Sequence, residues 1–237
     1  MIPILLIAGN VLREQRWPVL FLVVWAAVSA GVYGFGEKAE LVESDFLFLL
    51  GQQAVYAVGF SAFVAAFAVH NERKSRRILA VLSKSIGRGQ YLAGMLAGVC
   101  LCFTIYCAAI GLASSWGARK LGVPAEQYVW LVVVLLASCL LAAAIALFFS
   151  VFLNPLTATA ATALVVASPA VLAPYLGEAW AYSVPIYALS TSLLHFSVDP
   201  AWHQGGGLVG LAVVEAAVFW LAATWVFERR DIAVAVE

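Results

Sequence analysis

The stretch Tyr128–Phe152, YVWLVVVLLASCLLAAAIALFFSVF, carries no charged residue. Wound as a helix rising ~1.5 Å per residue, it is long enough to cross a hydrocarbon layer of ~30 Å. It has none of the short alternating segments from which a membrane barrel is built. Inside lipid, unpaired backbone groups are costly, so such a run satisfies itself by winding into an unbroken helix.

Working outward, five more runs are similarly long and apolar: Pro18–Phe35, Phe46–Val69, Tyr91–Trp116, Leu156–Leu176 and Leu208–Phe227, uncharged except for Glu215 in the last. The composition agrees. The 237-residue chain is 64% hydrophobic and 11% charged, with mean hydropathy +0.98. A soluble domain is about half apolar and about a quarter charged, so lipid is the natural solvent here. The expected fold is an all-α integral membrane domain over residues 1–237, with six transmembrane helices. The stretch Ile2–Leu12 is apolar but only about half a span in length. It lacks the basic start and small-residue cleavage site of a signal peptide. It runs into Arg13, Glu14, Gln15, Arg16 and Trp17. Residues 1–17 are therefore expected to form a helix in the interface, with Trp17 at headgroup level and Pro18 turning the chain into the first span.

The cations give the orientation. With the N-terminus in the cytoplasm and six crossings, ten of the thirteen Lys and Arg fall inside; only Lys38, Arg119 and Lys120 fall outside. This is a positive-inside distribution with both termini cytoplasmic. Six of the ten lie in one segment, NERKSRRILAVLSKSIGRGQY, Asn71–Tyr91. Its Ile78, Leu79, Val81, Leu82 and Ile86 fall on one face of a helix at about 100° per residue, and Arg73, Arg76, Arg77 and Lys84 fall largely on the other. Asn71 reads as its N-cap and Gly87 as its stop. Such a helix lies on anionic lipid or is presented to a protein partner. Net charge is zero, so nothing recruits nucleic acid.

Glu72, then Leu82-Ser83, then Ile86-Gly87-Arg88-Gly89-Gln90-Tyr91 and Gly94 resemble the signature loop of the ATP-binding-cassette type-2 permeases, the transmembrane subunits of type V-like exporters. The topology resembles theirs along the whole chain, as does the ending Phe227-Glu228-Arg229-Arg230-Asp231. Arg76 and Arg77 stand where the family tends to have Gly-Thr, Ser85 where it has Pro, and Met95 where it has Lys. The resemblance implies that residues 71–90 form a coupling helix seated in a groove of a cytosolic ATPase subunit, which binds ATP and Mg. It implies contacts from Glu72, Arg73, Arg76, Arg77, Leu82, Ser83 and Arg88. It also implies a second copy of the chain or a paralogue, residence in the cell (inner) membrane among its lipids, outward transport, and an outer gate.

The chain contains no GxxxxGK[ST], no HExxH and no GxSxG, so no cofactor of its own and no catalytic residue is expected. His195, Asp199 and His203 are spaced by four, but Pro200 argues against one helix carrying all three. Cys100, Cys102, Cys107 and Cys139 lie in spans without metal spacing and read as small core residues. Gly94 and Gly98 form a GxxxG that permits close approach, either within the bundle or to another copy.

Glu215 is the one charged residue inside a span, which makes it a functional candidate. With Gln52 and Gln53 it forms the candidate translocation path, facing a cavity or pairing with one of these amides. Pro169 and Pro174 suggest a kink or early stop in the fifth span. The segment 177–207 is long for a structureless connection, and its apolar run Ala181–Phe196 fits a re-entrant outer segment before the sixth span. Two readings compete with an ATP-driven permease: a secondary carrier, which predicts inverted repeats and several intramembrane charges, and a membrane scaffold or assembly factor.

Overall fold

The computed structural model describes residues 2–34, 43–74, 87–120, 122, 125–177 and 206–229. Among these residues there are seven helices and no strand: α1 (Ile2–Glu14), α2 (Arg16–Gly34), α3 (Glu43–Lys74), α4 (Arg88–Lys120), α5 (Ala125–Ser150), α6 (Pro155–Leu176) and α7 (Gly206–Arg229). Five of them, α3 to α7, are long and apolar enough to cross a membrane. In α2 the apolar stretch is the shorter Arg16–Ser29, so the sixth crossing does not stand on the same footing.

The helix built from the uncharged run after Gln127, α5, is the centre of the bundle. It packs against α3, α4, α6 and α7. Seven consecutive residues, Leu141 to Leu147, are at most 2% exposed, so the helix is enclosed on every side there. Four of the seven are alanine, and small side chains let neighbouring helices come close. About 72% of the apolar part of α5 is buried inside the bundle, against 17% of that of α7. Large apolar side chains such as Val214, Val218, Leu221 and Trp225 are left on the outside of α7, as expected where the surrounding solvent is hydrocarbon.

Several boundaries differ from those expected. Asn71 is not the N-cap of a separate helix: α3 continues through Asn71, Glu72, Arg73 and Lys74. Glu, Arg and Lys are good helix formers, and cations in a last turn suit the helix dipole, so nothing stops the helix at the end of its apolar run. For the same reason α4 reaches from Arg88 to Lys120, beyond Tyr91–Trp116. Conversely α5 ends at Ser150, not Phe152, and residues 151–153 form the turn into α6. Asn154 caps α6: its side-chain oxygen accepts from the Thr157 backbone N–H at 2.9 Å, with Pro155 in the first position.

The two prolines do not stop α6, which runs through Pro169 and Pro174 to Leu176. Pro169 has no N–H to give the Val165 carbonyl, and the Ser168 hydroxyl donates to that carbonyl instead, at 2.9 Å. The residues 75–86 of the expected coupling helix, and 178–205 of the expected re-entrant segment with His195, Asp199 and His203, lie outside the described residues.

Candidate functional site

The GxxxG of α4 is used inside the chain. A Cβ on Gly94 would stand 2.8 Å from the Ile7 Cβ, and one on Gly98 would stand 2.6 Å from the Val11 Cβ. The first helix is therefore seated on α4, with Ala8 and Val11 buried and Leu5 and Leu6 exposed on its far face. α1 and α2 touch each other little, yet both pack on α4.

Where α4 begins, α7 ends. Gly87 accepts the first helical hydrogen bond of α4, from the Tyr91 N–H at 3.0 Å. Arg88, the next residue, donates through Nη1 to the carbonyl oxygens of Phe227 at 2.7 Å and Glu228 at 3.0 Å. Its guanidinium also lies 5.7 Å from the Phe227 ring centre, and the Tyr91 ring stacks on Phe227 at 6.5 Å. The start of α4 and the end of α7 thus occupy one face of the bundle. Cations at the helix ends sit over tryptophans: Arg229 is 3.9 Å from the Trp225 ring, and Lys120 is 3.9 Å from Trp116 at the opposite end of α4. This is the arrangement of a charge reaching out of an apolar layer past an aromatic belt.

Of the residues expected to meet an ATPase, Arg88 alone has a described side chain. Glu72 and Arg73 are placed as the last turn of α3, and Arg76, Arg77, Leu82 and Ser83 lie outside the described residues.

The candidate path residues are not brought together. Gln52 is half-buried and its Nε2 donates to the Tyr56 hydroxyl at 3.3 Å. Gln53, 2% exposed, accepts from the Tyr106 hydroxyl of α4 at 2.7 Å, while its Nε2 has no hydrogen-bond partner among the described residues. Glu215 is half-buried on α7, which packs on α5 and α4. It has no hydrogen bond or ion pair to the described residues, so the pairing with Gln52 or Gln53 is not made.

A cavity of about 330 Å³ opens between α3, α5 and α6. Its walls are mostly small: Gly51, Ala54, Gly59 and Ala62 from α3, Ala142 from α5, and Ala163 and Ala167 from α6. Three hydroxyls also line it, but each is turned back onto its own helix: Ser138 to Val134 O, Thr159 to Pro155 O and Thr162 to Ala158 O, at 2.8–2.9 Å. With these donors engaged, the surface offered to an occupant is apolar, suited to a hydrocarbon group rather than a charge. No single span announces this cavity in the sequence. Its signal is the run of small residues at helical spacing on three different spans, which becomes a cavity only once the spans are assembled.

The four cysteines form no disulfide; Cys102, Cys107 and Cys139 are buried in the bundle and Cys100 is partly so. A scan against protein-family models and a search of curated proteins both find no match to this chain.

Proposed function

We propose that the chain is the transmembrane permease subunit of an ATP-driven transporter of the ATP-binding-cassette type-2 kind, working outward with a cytosolic ATPase subunit and a second permease copy. The observation that carries this reading is the basic segment 71–90, with its apolar face, its arginines and its Ile86-Gly87-Arg88-Gly89-Gln90-Tyr91 entry into α4. An apolar face supplies anchoring area, and arginines supply directional contacts to carboxylates of a partner.

The arrangement of helix ends supports the orientation. Arg88 meets the end of α7, so four alternating crossings, α4 to α7, return the chain to the side from which α4 departs. Arg88 then shares a side with Arg229, and in this reading the positive-inside rule makes that side cytoplasmic. In this reading α2 is the first of six crossings. Its 19 residues reach roughly 28 Å at ~1.5 Å per residue, close to the thickness of the hydrocarbon. The cavity between α3, α5 and α6 supports a cargo with a substantial apolar part.

Two measurements on the full chain test this. The tagged chain, extracted gently from its own membrane, carries a nucleotide-hydrolysing subunit with it. Reversing Arg76 and Arg77 to Glu leaves insertion intact and abolishes ATP-driven transport by the reconstituted complex. Transport that persists unchanged in that variant sinks the coupling role.

A further inference from the structure

We propose that Arg88 is the positioning residue that fastens the start of α4 to the last turn of α7, so that movement of the cytosolic segment entering α4 is delivered to α7 and to the Glu215 it carries. The fastening itself is independent of the proposed function; the delivery rests on it.

The contact has three parts within four residues of α4. Arg88 donates to two carbonyls of the final turn of α7, at 2.7 and 3.0 Å. The carbonyls of a helix's last turn lack partners within the helix and carry the negative end of its dipole, so a guanidinium there is both hydrogen-bonded and charge-stabilised. At Gly89 the two helices approach so closely that a Cβ would stand 3.0 Å from the Thr224 Cγ2. At Tyr91 the ring stacks on Phe227, and both are 1% exposed.

The rest of α7 is held differently. Its buried residues are Ala212, Ala216, Ala223 and Phe227. The three alanines, with the partly buried Leu208, Val209, Phe219, Trp220 and Val226 beside them, hold α7 through apolar contacts, among them the Phe219 ring 5.9 Å from Phe148 of α5. Apolar contacts of this kind let a helix shift along its neighbours, and a directional, hydrogen-bonded attachment gives it something to follow. That attachment is at its end, adjoining the chain that leads from segment 75–86 through Gly87. Glu215 stands twelve residues from Phe227 on the same rigid helix, about 18 Å along its axis.

The test uses the full chain in membranes with cysteines at two positions, Gly89→Cys and Thr224→Cys, and controls with one introduced cysteine each. The short approach at this point suits a disulfide. With Arg88 present, mild oxidation bridges the pair; in R88Q the bridged fraction falls on the order of tenfold, the scale of a lost charge-assisted hydrogen bond. R88K, which keeps a cation at the carbonyls, retains most of the bridging. Equal bridging in R88Q overturns the fastening. In the assembled transporter, R88Q loses about tenfold in cargo moved per ATP hydrolysed, and closing the 89–224 disulfide in R88Q restores it, which a lost ATPase contact alone would not allow. Unchanged cargo per ATP in R88Q overturns the delivery. A wild-type chain that retains no ATPase overturns the permease reading instead, and the bridging result then decides the fastening alone.

Discussion

Val11 occupies the space that a side chain on Gly98 would need: a Cβ there would stand 2.6 Å from the Val11 Cβ and 2.9 Å from the Ala8 carbonyl oxygen. One of the two obstacles is backbone, so a rotamer change cannot relieve the clash and the axis of α1 must move. Gly98→Ala is therefore expected to cost about 1–3 kcal/mol despite the better helix propensity of alanine. Gly59→Ala is the control, since a Cβ there meets nothing within 4 Å. Thermal unfolding in detergent should show a lower midpoint for the first and an unchanged or higher one for the second. Equal midpoints would mean that α1 is not seated on α4.

Tyr106 and Gln53 form a buried polar pair between α4 and α3, at 2.7 Å. With Tyr106→Phe, Gln53 loses its partner for Oε1 as well as lacking one for Nε2 among the described residues. Hydrogen bonds between membrane helices are worth about 0.6 to 2 kcal/mol, so Tyr106→Phe should destabilise on that scale. Gln53→Leu should do the same or less, because it removes the stranded amide along with the bond. The combined variant should cost less than the two singles together. Simple additivity in that cycle would show that the two side chains do not interact in the membrane.

What was legible in the sequence depended on how local the physics is. Tyr128–Phe152 reads as a span from composition alone because lipid acts on every residue of it. Gly94 and Gly98 read as a close approach, but their partner is Ile7 and Val11 rather than another copy, and no local rule names a partner. Gln53 and Tyr106 are 53 residues apart, so each reads only as a polar residue in an apolar run. Asn71 has the chemistry of a cap yet lies inside α3, because capping residues are also tolerated within a helix when strong formers follow them. The basic loop's role is carried by resemblance, and of its residues Arg88 is the one whose side chain the structure describes. The cavity between α3, α5 and α6 depends on how three spans are assembled.

Ser168 and Pro169 show a compensation of the kind that lets proline sit inside a membrane helix. The serine hydroxyl reaches the Val165 carbonyl that the proline ring leaves without a backbone donor. Ser168→Ala should cost about 1 kcal/mol by leaving that carbonyl open. Adding Pro169→Ala restores a backbone N–H and should return the loss. If the single and double variants unfold at the same temperature, the hydroxyl is not serving the carbonyl.

Glu215 presents a sharper choice. It is half-buried, has no partner among the described residues, and sits on the least enclosed of the five helices long enough to span. A carboxylate at the middle of a transmembrane helix costs about 2.5–3.5 kcal/mol on insertion scales, and that cost persists in evolution chiefly where the group works. Two variants separate the uses. Glu215→Gln keeps the shape and removes the ionisation; Glu215→Leu removes the polarity altogether. If the carboxylate serves transport, Glu215→Gln should insert and assemble normally yet move cargo at least ~10-fold more slowly, a coupling of the usual size for a working group. Glu215→Leu should then be inactive but more stable in detergent titrations, because it relieves the insertion cost. Equal transport and equal stability in Glu215→Gln would make the residue incidental. Normal transport with a loss of stability would assign it to packing against a neighbouring copy, a contact that cross-linking at exposed Val214 and Val218 would then detect.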